Sequence, residues 1–317
     1  MRNIRMKLSV LDLVPVISPA DAGAAYEQAV KLARHAEQWG YSRYWVAEHH
    51  DMPALACPSP EVLLAHIGAR TERIRLGSGA LLLPHYKPMK VAENFHMLAA
   101  LYPGRIDLGI GRAPGGSAHA TIALSGNFLE NVRQLPDSLK SLMALLEGRF
   151  ECEGQPVTAR PVPATPPDVW MLGTNSKSAA FAAELGTGYV FGQFMSDSDV
   201  VEVVGGYREK FAPSTQGERP RVIVAAGVVC ADSEEEARAL AAALPWLQEA
   251  DEGGAGAGAE NQPLAQRRMY LGTAASVREQ LEREAQRCGI DEYLVVTPIA
   301  DYDKRLRSYE LLSSIIC

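Results

Sequence analysis

Eight short apolar runs alternate with longer stretches of helical periodicity along this chain of 317 residues. The runs are predicted strands, at residues 7–14, 43–47, 74–83, 106–110, 169–172, 189–194, 222–230 and 294–297. Strands that are buried on both faces read as continuous apolar runs, whereas strands with one wet face alternate apolar and polar residues. Eight such strands, each followed by a helix, predict an α/β fold in which a parallel (β/α)8 barrel (a TIM barrel) closes on itself.

The helical stretches carry start and stop signals. In the first of them, residues 25–36, apolar side chains recur at the spacing of one helix face. Asp21 precedes this stretch as a predicted N-cap, and Gly40 follows it as a predicted C-terminal residue. A later stretch, residues 128–146, contains Pro136, which predicts a kink or a late start of the helix.

A doubly wound open sheet is the alternative fold. It usually has fewer units and a glycine-rich first turn, and the turn after the first strand, residues 15–19, lacks GxGxxG. We therefore expect one barrel domain over residues 1–317. A flexible Gly/Ala-rich insertion around residues 245–275 is expected before the last strand. Because it follows a helix, its position in the chain predicts the amino-terminal face of the barrel.

Charge and cysteine content exclude several classes of function. The net charge is -7 and no basic run is present, which disfavours nucleic acid and anionic membranes as partners. The five cysteines are scattered and form no CxxC pair, so neither a disulfide framework nor a metal site is expected from them. No apolar segment has the length of a signal peptide or a transmembrane helix, and the prediction is a cytoplasmic protein.

Polar residues at two neighbouring strand ends predict an anion site. The carboxyl ends of barrel strands build the active sites of such folds. Arg112 follows the fourth strand, and the segment Gly173 to Ser178 follows the fifth and enters a helix. A guanidinium and free helix N–H groups together suit a phosphate. The alternative is that the Ser, Thr and Asn side chains only cap the helix.

Glycines and two histidines mark the neighbouring strand ends. Glycine at a strand end lets a flat ligand or a backbone approach closely, or else marks a local bend, and four lie here: Gly77, Gly79, Gly109 and Gly111. His49 and His50 follow the second strand. Adjacent residues of an extended segment point to opposite sides, so the pair is unsuited to one metal ion. We expect one of them to face the mouth as an acid, base or hydrogen-bond donor and the other to be structural.

Three stretches closely resemble the bacterial luciferase-like flavin-dependent monooxygenases. The longest runs from Trp45 to Gly115 and reads WVAEHHDMPALACPSPEVLLAHIGARTERIRLGSGALLLPHYKPMKVAENFHMLAALYPGRIDLGIGRAPG. The others are WMLGTNSKSAAFAAELG and, near the end, RLRSYELL. The resemblance covers nearly the whole chain. It is closer to the family's uncharacterised luciferase-like oxidoreductase branch than to light-emitting subunits.

The resemblance implies a mechanism and a set of site residues. It implies reduced FMN as cosubstrate, O2, a small organic substrate such as an aldehyde or ketone, a separate flavin reductase and a homodimer formed through the second and third helices. His49 matches the catalytic histidine, and Gly79-Ala80 matches a non-proline cis peptide against the flavin ring. The cofactor-binding set is implied to be Gly79, Ala80, Gly111, Arg112, Thr174, Asn175 and Ser178.

The chain departs from the family pattern at two places. Gly111 stands where light-emitting members have a reactive cysteine, which argues against luminescence. Residues 118–126, a predicted loop, lack the arginine that many relatives carry there, which predicts weak FMN binding. The sequence leaves open an F420-dependent oxidoreductase on the same barrel, a non-catalytic FMN-binding protein and, as a distant alternative, a metal hydrolase.

Overall fold

The computed structural model describes residues 6–243 and 269–316, and its strands follow the predicted runs. The strands are β1 (Lys7–Asp12), β2 (Arg43–Val46), β3 (Arg75–Ser78), β4 (Leu81–Leu82), β5 (Ile106–Gly111), β6 (Glu151–Cys152), β7 (Gln155–Pro156), β8 (Asp168–Gly173), β9 (Gly188–Gly192), β10 (Val222–Cys230), β11 (Met269–Gly272) and β12 (Glu292–Val296).

Helices separate these strands along the chain. They are α1 (Ala22–Gln38), α2 (Pro60–Gly68), α3 (Pro88–Leu101), α4 (Ala118–Ser125), α5 (Phe128–Arg133), α6 (Leu135–Leu146), α7 (Ser176–Glu184), α8 (Val200–Lys210), α9 (Glu234–Ala242), α10 (Ala274–Cys288) and α11 (Tyr302–Ser313). No helix in the described ranges is long and apolar enough to span a membrane.

Eight of the described strands close into a parallel ring, so the predicted (β/α)8 barrel is confirmed. Around the ring the order is β1, β2, β3, β5, β8, β9, β10 and β12. Closure is made by β12, which pairs in parallel with β1 on one side and with β10 on the other. All residues of β5, β9, β10 and β12 are buried, as continuous apolar strands require.

Local signals in the sequence are confirmed at the first helix and at the proline. The side chain of Asp21 accepts from the backbone N–H of Ala24 at 2.8 Å and so caps α1, and Gly40 has the left-handed φ of +85°. The helix predicted over residues 128–146 is divided into α5 and α6. Pro136 lies in the first turn of α6, where its missing N–H leaves no hydrogen bond unmade.

The structure corrects the face of the barrel at which the insertion was expected. Residues 244–268, which include the Gly/Ala tract, lie outside the described residues. Beyond them, β11 pairs in parallel with Gly227 to Cys230, the carboxyl end of β10. Gly227 pairs with β12 on one edge and with β11 on the other, and the pairing of β10 with β9 ends at Ala225, so β11 occupies the edge that β9 leaves free. The described end of the insertion therefore lies at the carboxyl-terminal face and not at the amino-terminal face.

A second correction concerns the predicted loop at residues 118–126. Residues Ala118–Ser125 form α4, because the Ser117 side chain accepts from the N–H of Ala120 and caps a helix of small and apolar residues. The helix lies in the connection that follows β5, above the carboxyl-terminal face.

An ion-pair network closes the amino-terminal end of the barrel. Arg43 donates from Nη1 to Asp107 at 2.8 Å and from Nε to Glu292 at 2.7 Å. Arg75 contacts both Asp107 and Asp168, the latter at 2.9 Å. Burial alone would lower the pKa of Arg43, but the charges of Asp107 and Glu292 raise it. This end of the barrel is therefore filled with charges that neutralise one another.

Candidate active site

His49 presents a buried ring nitrogen without a partner at the carboxyl-terminal face. It lies three residues beyond β2, and its backbone N–H donates to Cys57 O at 2.9 Å. Its Nδ1 is buried and has no hydrogen-bond partner among the described residues. Burial lowers the pKa of His49 to about 4; the backbone of Ala47 opposes this effect, and the neighbouring His50 adds to it. The imidazole is therefore neutral at pH 7, with one nitrogen available to a ligand or substrate.

His50 points elsewhere, as predicted for adjacent residues of an extended segment. Its Nε2 donates to Oε1 of Glu48 at 2.7 Å, and its ring meets His85 edge to face with centroids 5.6 Å apart. Its backbone N–H donates to Gly115 O at 2.7 Å. These contacts give His50 a structural role, and they leave His49 as the free histidine of the pair.

The Gly79-Ala80 peptide is cis, as the resemblance implied. The backbone N–H of Gly79 donates to Val46 O at 2.7 Å, and Ala80 O accepts from the N–H of Glu48 at 3.2 Å. Two hydrogen bonds to the end of β2 therefore hold this peptide, and Ala80 itself is only partly buried.

The glycines at the strand ends serve close packing of the chain itself. A Cβ at Gly109 would lie 2.0 Å from Ser78 O, and one at Gly77 would lie 2.6 Å from the indole nitrogen of Trp45. A Cβ at Gly79 would lie 2.7 Å from Leu11, and one at Gly111 would lie 2.9 Å from the Cβ of Ala80. Of the two readings of these glycines, the structure supports close approach of neighbouring protein atoms.

Arg112 carries an uncompensated charge. It follows β5 directly, and the pairing of Ile110 with Met171 brings it level with the end of β8. Its guanidinium makes no hydrogen bond or ion pair with any residue in the described ranges. It lies close enough to Tyr189 to act on the phenol: burial raises the pKa of Tyr189 to about 12, and the charge of Arg112 opposes that rise. A cation without an acidic partner favours an anionic ligand.

The start of α7 lies beside Arg112 and is a well-formed cap. The Asn175 side chain accepts from the N–H groups of Lys177 and Ser178, at 3.1 and 3.3 Å. The Ser178 hydroxyl is buried, donates to Asn175 O at 2.7 Å and lies 3.1 Å from the Tyr189 hydroxyl. Capping thus occupies Asn175 and Ser178. The hydroxyls of Thr174 and Ser176 have no partner among the described residues, and of these two Thr174 belongs to the set that the resemblance implies.

Sequence reasoning assigned no role to two residues that organise this face. Glu48 is a buried carboxylate that receives hydrogen bonds from three groups, and its acidic side chain within an apolar strand end was the available signal. His85 contacts Pro114 O through Nε2 at 2.8 Å and Ser125 Oγ through Nδ1 at 3.0 Å, and it packs on Phe128. It therefore fixes the connection that carries Arg112.

Comparison with known proteins identifies relatives along the full chain. The sequence model of the family described as luciferase-like monooxygenase matches residues 6–306. The uncharacterized protein YwcH of Bacillus subtilis (strain 168) is 42% identical, over 97% of this chain and 98% of its own. N-acetyl-S-alkylcysteine monooxygenase of the same strain is 34% identical, over 98% of each chain.

Solved structures agree with the fold. The crystal structure of apo-MsnO8 superposes with a TM-score of 0.86 at 35% identity, over 98% of both chains. Two more distant structures share the fold alone. One is the FMN complex of the oxygenating constituent of 3,6-diketocamphane monooxygenase from Pseudomonas putida (TM-score 0.72, 21% identity, 98% of each chain). The other is an F420-dependent secondary alcohol dehydrogenase (TM-score 0.73, 15% identity, 99% of each chain).

Proposed function

Because the chain belongs to the luciferase-like monooxygenase family, we propose that it is a flavin-dependent monooxygenase that uses reduced FMN and O2 to oxidise a small organic substrate. One observation carries this proposal. At the carboxyl-terminal face, the described residues offer no partner to the guanidinium of Arg112 or to the buried imidazole nitrogen His49 Nδ1.

The residues of this face fit FMN. Arg112 supplies the positive charge for the phosphate, and the Thr174 hydroxyl supplies a further hydrogen bond. Asn175 and Ser178 shape the first turn of α7, whose dipole favours an anion at its start. The ring would lie against the Gly79-Ala80 peptide, which Gly111 allows to pack closely on the end of β5. Arg112 is the single arginine in residues 106–126, so we expect weak binding, which suits a flavin that arrives reduced and leaves oxidised.

His49 acts as the proton-transferring residue in this proposal. When bound, reduced flavin supplies the electrons that activate O2. His49 is the group that transfers a proton, through Nδ1, as the substrate is oxidised. Burial keeps its imidazole neutral at pH 7, and the pKa of about 4 makes it a weak base until a ligand changes its surroundings. Apolar side chains that pack at this level of the barrel, Leu13, Leu172 and Phe194, help to exclude water from the reaction.

The partners follow from the same proposal. The substrate is a small molecule such as an aldehyde or a ketone, and a separate reductase supplies the reduced flavin. Two copies of the chain pair through α2 and α3, where Val62, Met97 and Leu101 are 68%, 50% and 56% exposed. Light scattering should therefore give the mass of a dimer, and L101K should shift it toward the monomer. A monomeric wild type would contradict the pairing and leave the chemistry untouched.

The decisive experiment is an anaerobic titration of the purified protein with reduced FMN, oxidised FMN and F420, followed by admission of O2. We expect preference for reduced FMN and, with a reductase and a panel of carbonyl compounds and thioethers, O2-dependent product formation. Preference for F420 with hydride transfer in the absence of O2 would instead identify an F420-dependent oxidoreductase. Tight binding of oxidised FMN without O2-dependent turnover would identify a non-catalytic flavin-binding protein.

A further inference from the structure

Glu48 is a buried carboxylate at the mouth of the barrel. Its side chain is 0% exposed, and it forms no ion pair with a lysine or arginine in the described parts of the chain. Three donors satisfy it. Oε2 accepts from the backbone N–H of Leu82 at 2.8 Å, and Oε1 accepts from His50 Nε2 at 2.7 Å and from the Tyr86 hydroxyl at 3.0 Å. A buried carboxylate is costly, and here two of its three hydrogen bonds come from residues 82–86.

The backbone of Glu48 forms a further hydrogen bond to residues 80–82. Its N–H donates to Ala80 O at 3.2 Å, while its side chain accepts from the N–H of Leu82. Glu48 therefore forms hydrogen bonds to Ala80, which belongs to the cis peptide, and to Leu82, which lies two residues further along the chain. Of these two bonds, only the second depends on the identity of the side chain.

Residues 80–82 connect the two parts of the proposed flavin site, the surface for the ring and the guanidinium for the phosphate. Leu81 and Leu82 form β4, which pairs with Ile110 and Gly111 at the end of β5. Arg112 is the next residue along the chain. A shift of residues 80–82 would thus move the surface proposed for the ring relative to the guanidinium proposed for the phosphate.

We propose that Glu48 is a positioning residue for flavin binding: its carboxylate holds residues 80–82, and with them the Gly79-Ala80 peptide, at the level that the flavin ring contacts. This inference rests on the proposed function. Glu48 acts through the segment that it holds and does not itself need to touch the flavin, the substrate or the reacting atoms.

Two substitutions separate this role from a general contribution to folding. E48A removes the acceptor for the Leu82 N–H. E48Q retains one, because the amide oxygen can accept from Leu82 while the amide NH2 faces the Tyr86 hydroxyl and His50 Nε2, which can accept once His50 takes its other tautomer. The matched control is D12N. Asp12 is also a buried carboxylate, but it accepts from Val14 N–H at 2.7 Å and from Arg305 at 2.8 Å, between the barrel and α11.

The experiment measures amide hydrogen exchange over residues 80–86 and the dissociation constants of reduced FMN and reduced riboflavin. In E48A we expect exchange at Leu82 to become at least ~10-fold faster and both flavins to bind ~10-fold more weakly, as loss of a hydrogen bond to a charged group predicts. E48Q should lie between E48A and the wild type. D12N should lower the urea midpoint without selectively affecting residues 80–86 or the affinity for flavin.

The outcomes are distinct. Unchanged exchange at residues 80–86 in E48A overturns the proposal without reference to any flavin. Faster exchange with unchanged affinity for both flavins also overturns it, because the segment would then not position the ring. A wild type that binds neither reduced flavin overturns the proposed function itself, and exchange at residues 80–86 would still report whether the anchor exists.

Discussion

The two ends of the barrel use their polar side chains in opposite ways. At the amino-terminal end, Asp107 is fully buried and is paired with Arg43, Arg75 and the indole N–H of Trp45, the last at 3.0 Å. At the carboxyl-terminal end, Arg112 has no partner in the described ranges.

Not every polar group at the amino-terminal end has a hydrogen-bond partner. The amino-terminal end leaves two buried donors unpartnered, Trp170 Nε1 and Arg221 Nη2. Both belong to groups that interact otherwise, since the Arg221 guanidinium lies 4.7 Å from the centre of the Trp170 ring and 3.3 Å from Asp168. Charges at the amino-terminal end are compensated by the protein. At the carboxyl-terminal end Asp12 is paired with Arg305 and Glu48 with His50, whereas Arg112 has no partner in the described ranges. The charges at the amino-terminal end should therefore contribute to stability, and Arg112 to binding.

The largest effect is expected from D107A, which breaks the amino-terminal network. It removes the acceptor of the Trp45 indole N–H and one of the two carboxylates that each guanidinium contacts, leaving Glu292 to Arg43 and Asp168 to Arg75. Loss of one partner of a buried ion pair costs about 3–5 kcal/mol. Urea unfolding should show this loss. Any folded D107A should bind reduced FMN as the wild type does. Weakened flavin binding at full stability would show that the two ends are not separate in function.

His49→Ala tests the opposite end. Removal of a proton-transferring side chain should lower kcat about 100-fold, the lower part of the usual range for such groups. Stability and the affinity for reduced FMN should stay close to those of the wild type. Steady-state turnover and anaerobic titration measure the two quantities separately. Loss of affinity at unchanged kcat would instead make His49 a cofactor-binding residue.

R112A should weaken flavin binding selectively. A hydrogen bond to a charged group contributes about 1.5–3 kcal/mol, so the affinity for FMN should fall roughly 10- to 100-fold. Riboflavin, which lacks the phosphate, is the internal control and should bind R112A and wild type alike. R112K, which keeps the charge but loses the fork, should lie between them. Equal loss of both ligands would place Arg112 against the ring.

The smallest effect is a pH dependence of stability. Because the pKa of His49 is about 4 in the folded protein and 6.5 is its usual value, protonation favours the unfolded chain. The contribution of His49 is present above pH 6.5 and is lost as pH falls toward 4, at about 1 kcal/mol between pH 7 and 5.5. H49Q should remove this part of the slope in urea unfolding. An NMR titration of His49 near pH 6.5 would contradict the burial argument.

Much of this contrast was readable from the sequence. Continuous apolar runs gave the eight barrel strands, and the rule that active sites form at their carboxyl ends selected His49 and Arg112. The adjacent histidines were expected to diverge, and the link of His50 to Glu48 accounts for it.

Other features lay beyond local patterns. Helix α4 was taken for a loop, since its residues draw no apolar stripe. The return of the insertion as β11 depends on an unpaired edge of β10, which only the sheet register reveals. Ser178 was grouped with the phosphate ligands, yet its hydroxyl is buried against Asn175 and Tyr189.

The sequence by itself determined the alternation of strands and helices, and hence the barrel, because burial on both faces imposes a pattern on every strand. It also predicted the end of the barrel at which we propose the chemistry. The tertiary structure alone decided which polar groups are satisfied. In the sequence, Asp107 lies within a predicted strand and Glu48 follows another, and nothing local distinguishes the two acidic residues. Both are buried in the structure. Asp107 forms ion pairs with two arginines, whereas Glu48 accepts a hydrogen bond from Leu82, in the segment beside the proposed flavin site. Which hydrogen-bond or ion-pair partner a polar group finds depends on distances between residues far apart in the chain, and no local sequence pattern encodes those distances.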